Sequence, residues 1–334
     1  MAAALQGSSR EQRDVDTTFP IVGVYDRFPE PYLPMLRKTV PDSNLHLCTR
    51  WDRLDQIVDE IDVLLAFKLS GKPFPRETIL SAPSIKWVQL ASAGIDHITP
   101  FDQSKLVVTN ASGIHGDIMS QYVVGALVYM LWDFPRLADQ QRSRQWEPFT
   151  VPSLARRTMG IIGAGNVGST IGRRAKAFGM RVIGTRRSGR PVKGFDRVYG
   201  PEGMLTVLAE SDVVVLSLPL TSETKKLIGR SELNHMRPTA YLVNVSRGGI
   251  VDEAALLDLL ENRSIAGAIL DVFEQEPLPP ENPFWSLPNV LVTPHTSSES
   301  ENWAVAIVRL FRDNLRRWIN HEPLRNVVDP TLGY

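Results

Sequence analysis

Met159-Gly160-Ile161-Ile162, running directly into Gly163-Ala164-Gly165-Asn166-Val167-Gly168, decides the fold. The first four residues read as a buried strand, and Val167–Phe178 reads as an amphipathic helix. A G-x-G-x-x-G string alone is a weak signal. Between a strand and a helix it is the context a dinucleotide-binding turn requires. Glycines there permit a tight turn, a close backbone approach to a pyrophosphate and close helix–strand packing. The helix N-terminus presents free N–H groups and a positive dipole end to the anion. Gly163, Gly165, Asn166, Val167 and Gly168 are therefore expected to hold a dinucleotide.

The next strand-like run ends Ile183-Gly184-Thr185-Arg186-Arg187-Ser188. NAD sites usually carry Asp or Glu about 20 residues beyond the glycines, accepting from the ribose hydroxyls. No carboxylate stands here. A 2′-phosphate would instead meet Arg186, Arg187 and the hydroxyls of Thr185 and Ser188, and guanidinium forks match phosphate geometry. NADP(H) is thus the expected cofactor, with NAD(H) as the alternative.

Outward from this unit, short apolar runs alternate with helix-like segments in both directions. Before it come strand-like Ile21–Tyr25, Leu45–Leu47, Asp62–Phe67, Ile85–Leu90 and Leu106–Thr109, with helix-like segments at Tyr32–Lys38, Leu54–Glu60 and Arg76–Ala82. After it come Asp212–Leu218, Ala240–Asn244, Ile265–Leu270 and Val290–Val292, with a helix at Glu253–Glu261. Alternation of this kind reads as two α/β blocks, each a parallel sheet covered by helices on both faces. An uncharged helix, Ile118–Trp132, separates the blocks. A last helix, about Ser300–Ile319, could return to the first block and make that domain discontinuous.

Composition agrees with two domains: 334 residues, at about 100–200 per domain. Lys plus Arg and Asp plus Glu number 37 each, so bulk charge gives no sign of a nucleic-acid or anionic-membrane partner. Cys48 is the single cysteine, which excludes an intrachain disulfide and any multi-cysteine metal site. No metal site is visible. Residues 1–18 are polar, lack the apolar core of a signal peptide and are expected to be a disordered tail. The Ile118–Trp132 stretch is shorter than the ~20 residues that span a bilayer. The cytoplasm is the expected location.

Three further segments each follow a buried strand: Asn244-Val245-Ser246-Arg247-Gly248-Gly249-Ile250-Val251-Asp252, Gly267-Ala268-Ile269-Leu270-Asp271-Val272-Phe273-Glu274-Gln275-Glu276-Pro277, and Val290-Leu291-Val292-Thr293-Pro294-His295-Thr296. Carboxyl ends of strands in an open parallel sheet face the ligand crevice, so Arg247, Glu276 and His295 could converge there. That trio suits hydride transfer at a carbon bearing oxygen. The guanidinium holds a carboxylate, the imidazolium gives a proton, and a carboxylate beside it stabilises the imidazolium and fixes the ring. A nicotinamide supplies the hydride, which no side chain can. Singly, each residue also has an ordinary reading as a surface ion pair, a turn residue or a solvated loop acid.

Together and in this order, the segments resemble the D-isomer-specific 2-hydroxyacid dehydrogenases, over about Asp62–Pro323 and most densely over Gly160–His295. The resemblance implies two Rossmann-like or flavodoxin-like doubly wound domains with the active site in the cleft between them. The dinucleotide domain would occupy 117–298, inserted into a substrate domain of 19–116 plus 299–334. Arg247 would bind substrate, His295 would be the acid/base and Glu276 its helper. Asp271 would lie beside the nicotinamide carboxamide. Leu218, Pro219, Thr224 and Val245 would complete the cofactor site. The loop Ala91-Ser92-Ala93-Gly94-Ile95-Asp96 would take the substrate carboxylate on the N–H groups of Ala93 and Gly94.

Arg186, where many relatives carry Asp, points to the NADPH-dependent glyoxylate/hydroxypyruvate reductase-like branch. Gln121 replaces a common Glu, and His115 is an extra histidine read as structural. A 2-oxo or 2-hydroxy acid substrate and a homodimer are implied, with Ile118–Trp132 and Trp146–Phe149 as candidate interface. Substrate size would be set by Phe67–Leu69, the Ala91–Gly94 loop, Trp146 and Phe149. The rival readings are a formate- or phosphite-type dehydrogenase, disfavoured by Arg186-Arg187, and a dinucleotide-sensing corepressor-like binding protein.

Overall fold

The structure, a computed structural model, describes residues 18–50, 53–68 and 73–333. The expected tail therefore lies almost wholly outside the described residues, as does Leu69. Two compact units emerge. One holds the described residues up to Ser92, with Pro100–Asn110 and Ala304–Val328; the other holds Ala93–Thr99, Ala111–Trp303 and the described residues from Asp329 on.

The first unit carries β1 (Val22–Tyr25), β2 (Leu45–Cys48), β3 (Val63–Ala66), β4 (Trp87–Leu90) and β5 (Val107–Thr109). They form one parallel sheet in the order β2-β1-β3-β4-β5. This is the flavodoxin-like order, with β1 and β3 adjacent at the point where the winding reverses. Every residue of β1, β3 and β4 is buried, as a sheet covered on both faces requires. One face is closed by the C-terminal helix Trp303–Ile319, which buries Ile307, Val308, Phe311, Asn314 and Leu315. Trp87 stacks on Phe311 and Trp318 at 5.3 and 5.7 Å. The polar atoms inside this packing are paired: Trp87 Nε1 donates to Thr109 Oγ1 at 2.8 Å, and Asn314 Nδ2 donates to Gln89 Oε1 at 3.2 Å.

The second unit carries β6 (Thr158–Ile162), β7 (Arg181–Thr185), β8 (Arg197–Tyr199), β9 (Val213–Leu216), β10 (Tyr241–Asn244), β11 (Gly267–Leu270) and β12 (Val290–Val292). They form a parallel sheet in the order β12-β11-β10-β9-β6-β7-β8. The chain winds outward from β6 to β8, then returns to β9 on the other side of β6. The crevice between β6 and β9 is therefore the topological switch point, where ligands bind in such sheets. Alternate residues go to opposite faces. Met159, Ile161, Val213, Val215 and Ile269 share a core with Leu127 and Ile171. Ile162, Val214, Leu216 and Leu270 share another with Leu256 and Leu260. Each fully buried Leu or Ile contributes about 1.5–3 kcal/mol by transfer from water.

The helix Gly116–Leu131, expected at Ile118–Trp132, belongs to this unit. Among the described residues no helix is long and apolar enough to cross a membrane, and no group of three or more His, Cys, Asp or Glu could hold a metal ion. Cys48 is buried.

One expected helix is absent. Leu54–Glu60 forms two short 3-10 turns, Leu54–Gln56 and Val58–Glu60, because Ile57 between them leaves the helical region at φ −126°. Adjacent β-branched Ile57 and Val58 disfavour a continuous helix there.

Candidate active site

The switch point brings the glycine turn together with the loop after β9. Gly163 sits at φ +102°, and a Cβ there would strike the Ser217 carbonyl. A Cβ on Gly168 would strike the Gly163 carbonyl. A Cβ on Gly165 would meet nothing within 4 Å. Packing thus explains Gly163 and Gly168, while Gly165 keeps a backbone surface open. Gly165 caps the helix Asn166–Ala177 without any side-chain cap, so the positive end of that helix is left to a ligand. These residues fit the pyrophosphate of a dinucleotide. Asn166 and Val167 stand in the first turn, and Asn166 Nδ2 donates to Ser112 Oγ at 2.7 Å.

The end of β7 is tied to this turn: the Thr185 carbonyl accepts from Gly163 N and Ala164 N at 3.2 and 2.8 Å. Thr185 is buried, whereas Arg186, Arg187 and Ser188 are exposed. Arg187 pairs with Glu223 at 3.0 Å. The Arg186 side chain makes no ion pair among the described residues. Leu218 and Pro219 are half-buried after β9. The Thr224 hydroxyl donates to the Pro219 carbonyl at 2.6 Å and accepts from Thr221 N at 2.8 Å, which locks that loop.

Arg247 follows β10 on a turn built by Asn244. The buried Asn244 accepts from Ser246 N and Oγ at 3.1 and 2.7 Å and donates to the Arg247 carbonyl at 3.1 Å. Val245 is buried in the sheet core. The guanidinium lies over the Ala93–Thr99 segment, where a Cβ on Gly94 would run into Arg247 Nη2. Arg247 Nε donates to Asp96 Oδ1 at 3.0 Å and Nη1 to the Ser246 carbonyl at 2.8 Å. Burial opposes ionisation of Asp96, but Arg247, with help from His97, outweighs it and holds that carboxyl below its usual range. Ala93 and Gly94 are half-buried.

Glu276 and His295 meet after β11 and β12. His295 Nδ1 lies 2.8 Å from Glu276 Oε2, and Phe273 N donates to Glu276 Oε1 at 3.2 Å. His295 is held at φ +52°. Its turn is organised by Asp271, which is fully buried. Asp271 Oδ1 accepts from Thr293 Oγ1 and Thr296 N at 2.6 and 2.9 Å; Oδ2 accepts from Ser297 N at 3.1 Å. Because Thr293 gives its proton to Asp271, its oxygen accepts from Tyr122, whose hydroxyl lies 2.7 Å away. Burial raises the Tyr122 phenol above the usual tyrosine range, so it remains a donor.

Glu253 lies against this loop. Its Oε1 accepts from Glu274 N at 2.6 Å. Burial, helped by Glu274 and Glu276, raises its carboxyl.

The geometry thus groups Arg247 with the Ala93–Asp96 loop, Glu276 with His295, and Asp271 with the residues that carry His295. Sequence reasoning assigned no role to Asp96, Asn244, Tyr122, Thr293 or Glu253. Asp96, Asn244 and Thr293 stood inside the quoted segments; the partners of Asp96 and Thr293 are distant in sequence, whereas those of Asn244 are its neighbours Ser246 and Arg247. Gln121 donates to Asp117 at 3.0 Å on the exposed side of its helix, and His115 is buried at that helix's N-cap.

Residues 124–297 match the family model described as the NAD binding domain of the D-isomer specific 2-hydroxyacid dehydrogenases. The chain belongs to this family. As a D-2-hydroxyacid dehydrogenase it is 34% identical over 282 residues to a glyoxylate reductase of Korarchaeum cryptofilum, covering 81% of this chain and 84% of that one. Among solved structures it is similar to a D-isomer specific 2-hydroxyacid dehydrogenase from Xanthobacter autotrophicus in complex with NADPH and MES. The TM-score is 0.82 and the identity 30%, covering 95% of this chain and 100% of that one. It is also similar to an NADPH-dependent glyoxylate/hydroxypyruvate reductase from Sinorhizobium meliloti in complex with NADP and sulfate. Here the TM-score is 0.81 and the identity 28%, covering 94% and 99% of the two chains. The sheet orders and the family agree with the fold class read from the sequence.

Proposed function

We propose that this dehydrogenase reduces a small 2-oxo acid to the D-2-hydroxy acid with NADP(H) as the preferred cofactor. Residues 117–298 would form the dinucleotide domain, and 19–116 with 299–334 the substrate domain. The observation that carries the reading is the His295–Glu276 pair at 2.8 Å, in the same compact unit as the Arg247 guanidinium and the glycine turn. Glyoxylate or hydroxypyruvate is the expected substrate type, as the names of the similar proteins suggest.

The roles follow from the geometry. The Glu276 carboxylate accepts from Nδ1–H, so Nε2 is the atom that gives a proton to the substrate oxygen. Arg247 binds the substrate carboxylate with the guanidinium donors left over from Asp96 and Ser246. Ala93 and Gly94 line the loop beneath it. When bound, the nicotinamide supplies the hydride. Asp271 has one acceptor position left on Oδ2, within the four lone-pair sites of a carboxylate, for a carboxamide N–H. Arg186 would meet the 2′-phosphate, with Arg187 and Ser188 beside it and Thr185 supplying the backbone that shapes the turn. Leu218, Pro219, Thr224 and Val245 would wall the cofactor.

The test is NADPH and NADH consumption over a panel of 2-oxo acids from glyoxylate to phenylpyruvate. Turnover with NADPH, abolished in His295→Ala, is expected. Tight dinucleotide binding without turnover of any acid would favour a sensor or binding protein instead. A homodimer is also expected. An apolar groove of about 380 Å³ lined by Leu131, Trp132, Leu154 and Phe178 and, separately, Trp146 at 94% exposed support the segments Ile118–Trp132 and Trp146–Phe149 as interface elements. Sedimentation as a monomer at micromolar concentration would refute it.

A further inference from the structure

The structure assigns Asp96 as the positioning residue for Arg247, the group that orients the guanidinium on which a 2-oxo acid's carboxylate lands. This rests on the role of Arg247 proposed above.

Four observations carry it. The ion pair at 3.0 Å joins residues 151 apart in sequence. Both side chains are only partly open to water, at 25% exposed for Arg247 and 32% for Asp96. Asp96 is itself fixed: its neighbour Ile95 is buried, and the Ile95 carbonyl accepts from Ile98 N and Thr99 N at 3.0 and 3.2 Å. Finally, the Arg247 guanidinium occupies the space above Gly94, where a Cβ would displace Nη2 from its place.

A guanidinium has five N–H donors. Asp96 takes the one on Nε, and the Ser246 carbonyl takes one on Nη1. Three remain, two of them on Nη2, above Gly94. Asp96 therefore turns a long, freely rotating side chain into a planar fork presented end-on over the Ala93–Gly94 backbone. Such preorganisation saves rotamer freedom that substrate would otherwise have to remove. The charge of Asp96 works the other way. It lies near the anion and repels it, so its removal would tighten binding if orientation counted for nothing. The two effects have opposite signs in KM, which makes the experiment decisive.

The experiment uses the full chain with NADPH and glyoxylate for turnover, and oxamate as a non-reacting mimic for binding to the NADPH-loaded protein. Asp96→Asn is expected to raise the glyoxylate KM and the oxamate Kd about tenfold or more, with kcat within threefold. The NADPH Kd, read by protein fluorescence, stays at the parental value, and the thermal midpoint falls by no more than ~4 °C, the worth of one partly exposed ion pair. Asp96→Glu, which keeps the charge, recovers part of the loss. The double variant Asp96→Asn with Arg247→Gln is no worse than Arg247→Gln alone, because the aspartate acts only through the arginine.

An unchanged or lower glyoxylate KM in Asp96→Asn overturns the proposal. So does a double variant whose loss equals the product of the single losses. If Arg247→Gln is inactive and Asp96→Asn behaves as parent, only the Asp96 role fails. If Arg247→Gln keeps full activity, or the parent neither reduces glyoxylate nor binds oxamate, the underlying function fails and takes this role with it.

Discussion

Replacing Asp271 with alanine tests whether the turn carrying His295 is held by that one carboxylate. Asp271 is fully buried and accepts three hydrogen bonds, from Thr293 Oγ1 at 2.6 Å, Thr296 N at 2.9 Å and Ser297 N at 3.1 Å. Bonds to a charged acceptor are worth about 1.5–3 kcal/mol each, and an orphaned buried donor costs about 1–3 kcal/mol. The three donors do not suffer alike. Thr296 is exposed and its N–H can turn to water, and the half-buried Thr293 hydroxyl can rotate. The Ser297 N–H is buried and has no such escape. Counting the last in full and the others in part gives roughly 3–4 kcal/mol for Asp271→Ala. At ~2–4 °C per kcal/mol for a domain of this size, the thermal midpoint should fall by about 10 °C.

Asp271→Asn keeps the shape and one acceptor oxygen but sets an amide NH2 against one of the same donors. It should lose about half as much. The assay is a thermal melt of the parent and both variants, without nucleotide, at one pH. Turnover should fall in parallel, since His295 rests at φ +52° only while the residues after it are anchored. A midpoint for Asp271→Ala within ~2 °C of the parent would refute the reasoning and leave the residue to the cofactor alone.

Other outcomes can be checked alongside. Arg186→Asp should raise the NADPH KM about 10–100-fold, the worth of a guanidinium–phosphate contact, and leave the NADH KM within threefold; Arg187→Asp should do less, since Glu223 already shares that charge. Gly165→Ala should melt like the parent, because a Cβ there meets nothing, yet bind NADPH at least about tenfold more weakly where backbone and pyrophosphate must approach; Gly168→Val, against the Gly163 carbonyl, should compromise the fold itself. Glu253→Gln should stabilise at pH 8 and change nothing at pH 4. A carboxyl raised in the folded state holds its proton longer than in the unfolded chain, so its contribution worsens as pH rises from about 4.3. Melts at the two pH values decide that.

How far the sequence could be read depended on whether a residue's partners were near it in the chain. β6 and its glycine turn were legible because strand, turn and helix are contiguous. Arg247, Glu276 and His295 were legible as residues that follow strand ends, and alternation announced parallel sheets covered by helices, whereas the two strand orders are not written in it. β8 was missed because a three-residue edge strand, Arg197–Tyr199, carries too little apolar pattern. The helix Phe134–Ser143 was missed because it buries no residue. The Leu54–Glu60 helix failed because apolar spacing cannot register a backbone break at Ile57. Asp96 and Tyr122 were silent for another reason. Each acts through a partner over a hundred residues away, Arg247 and Thr293 respectively, and a single sequence holds no record of such pairings.

The return of the C-terminal helix to the first sheet has a consequence for synthesis. Trp87 is fully buried, and Phe311 and Trp318 stack on it. During translation the strands of that sheet leave the ribosome long before residues 304–328. The whole of the second sheet is made in between. The early segment must therefore wait with an apolar face bare while the later one completes itself, a state prone to aggregation. The order of birth and the order of completion are reversed, and the end of translation is the step that closes the first core.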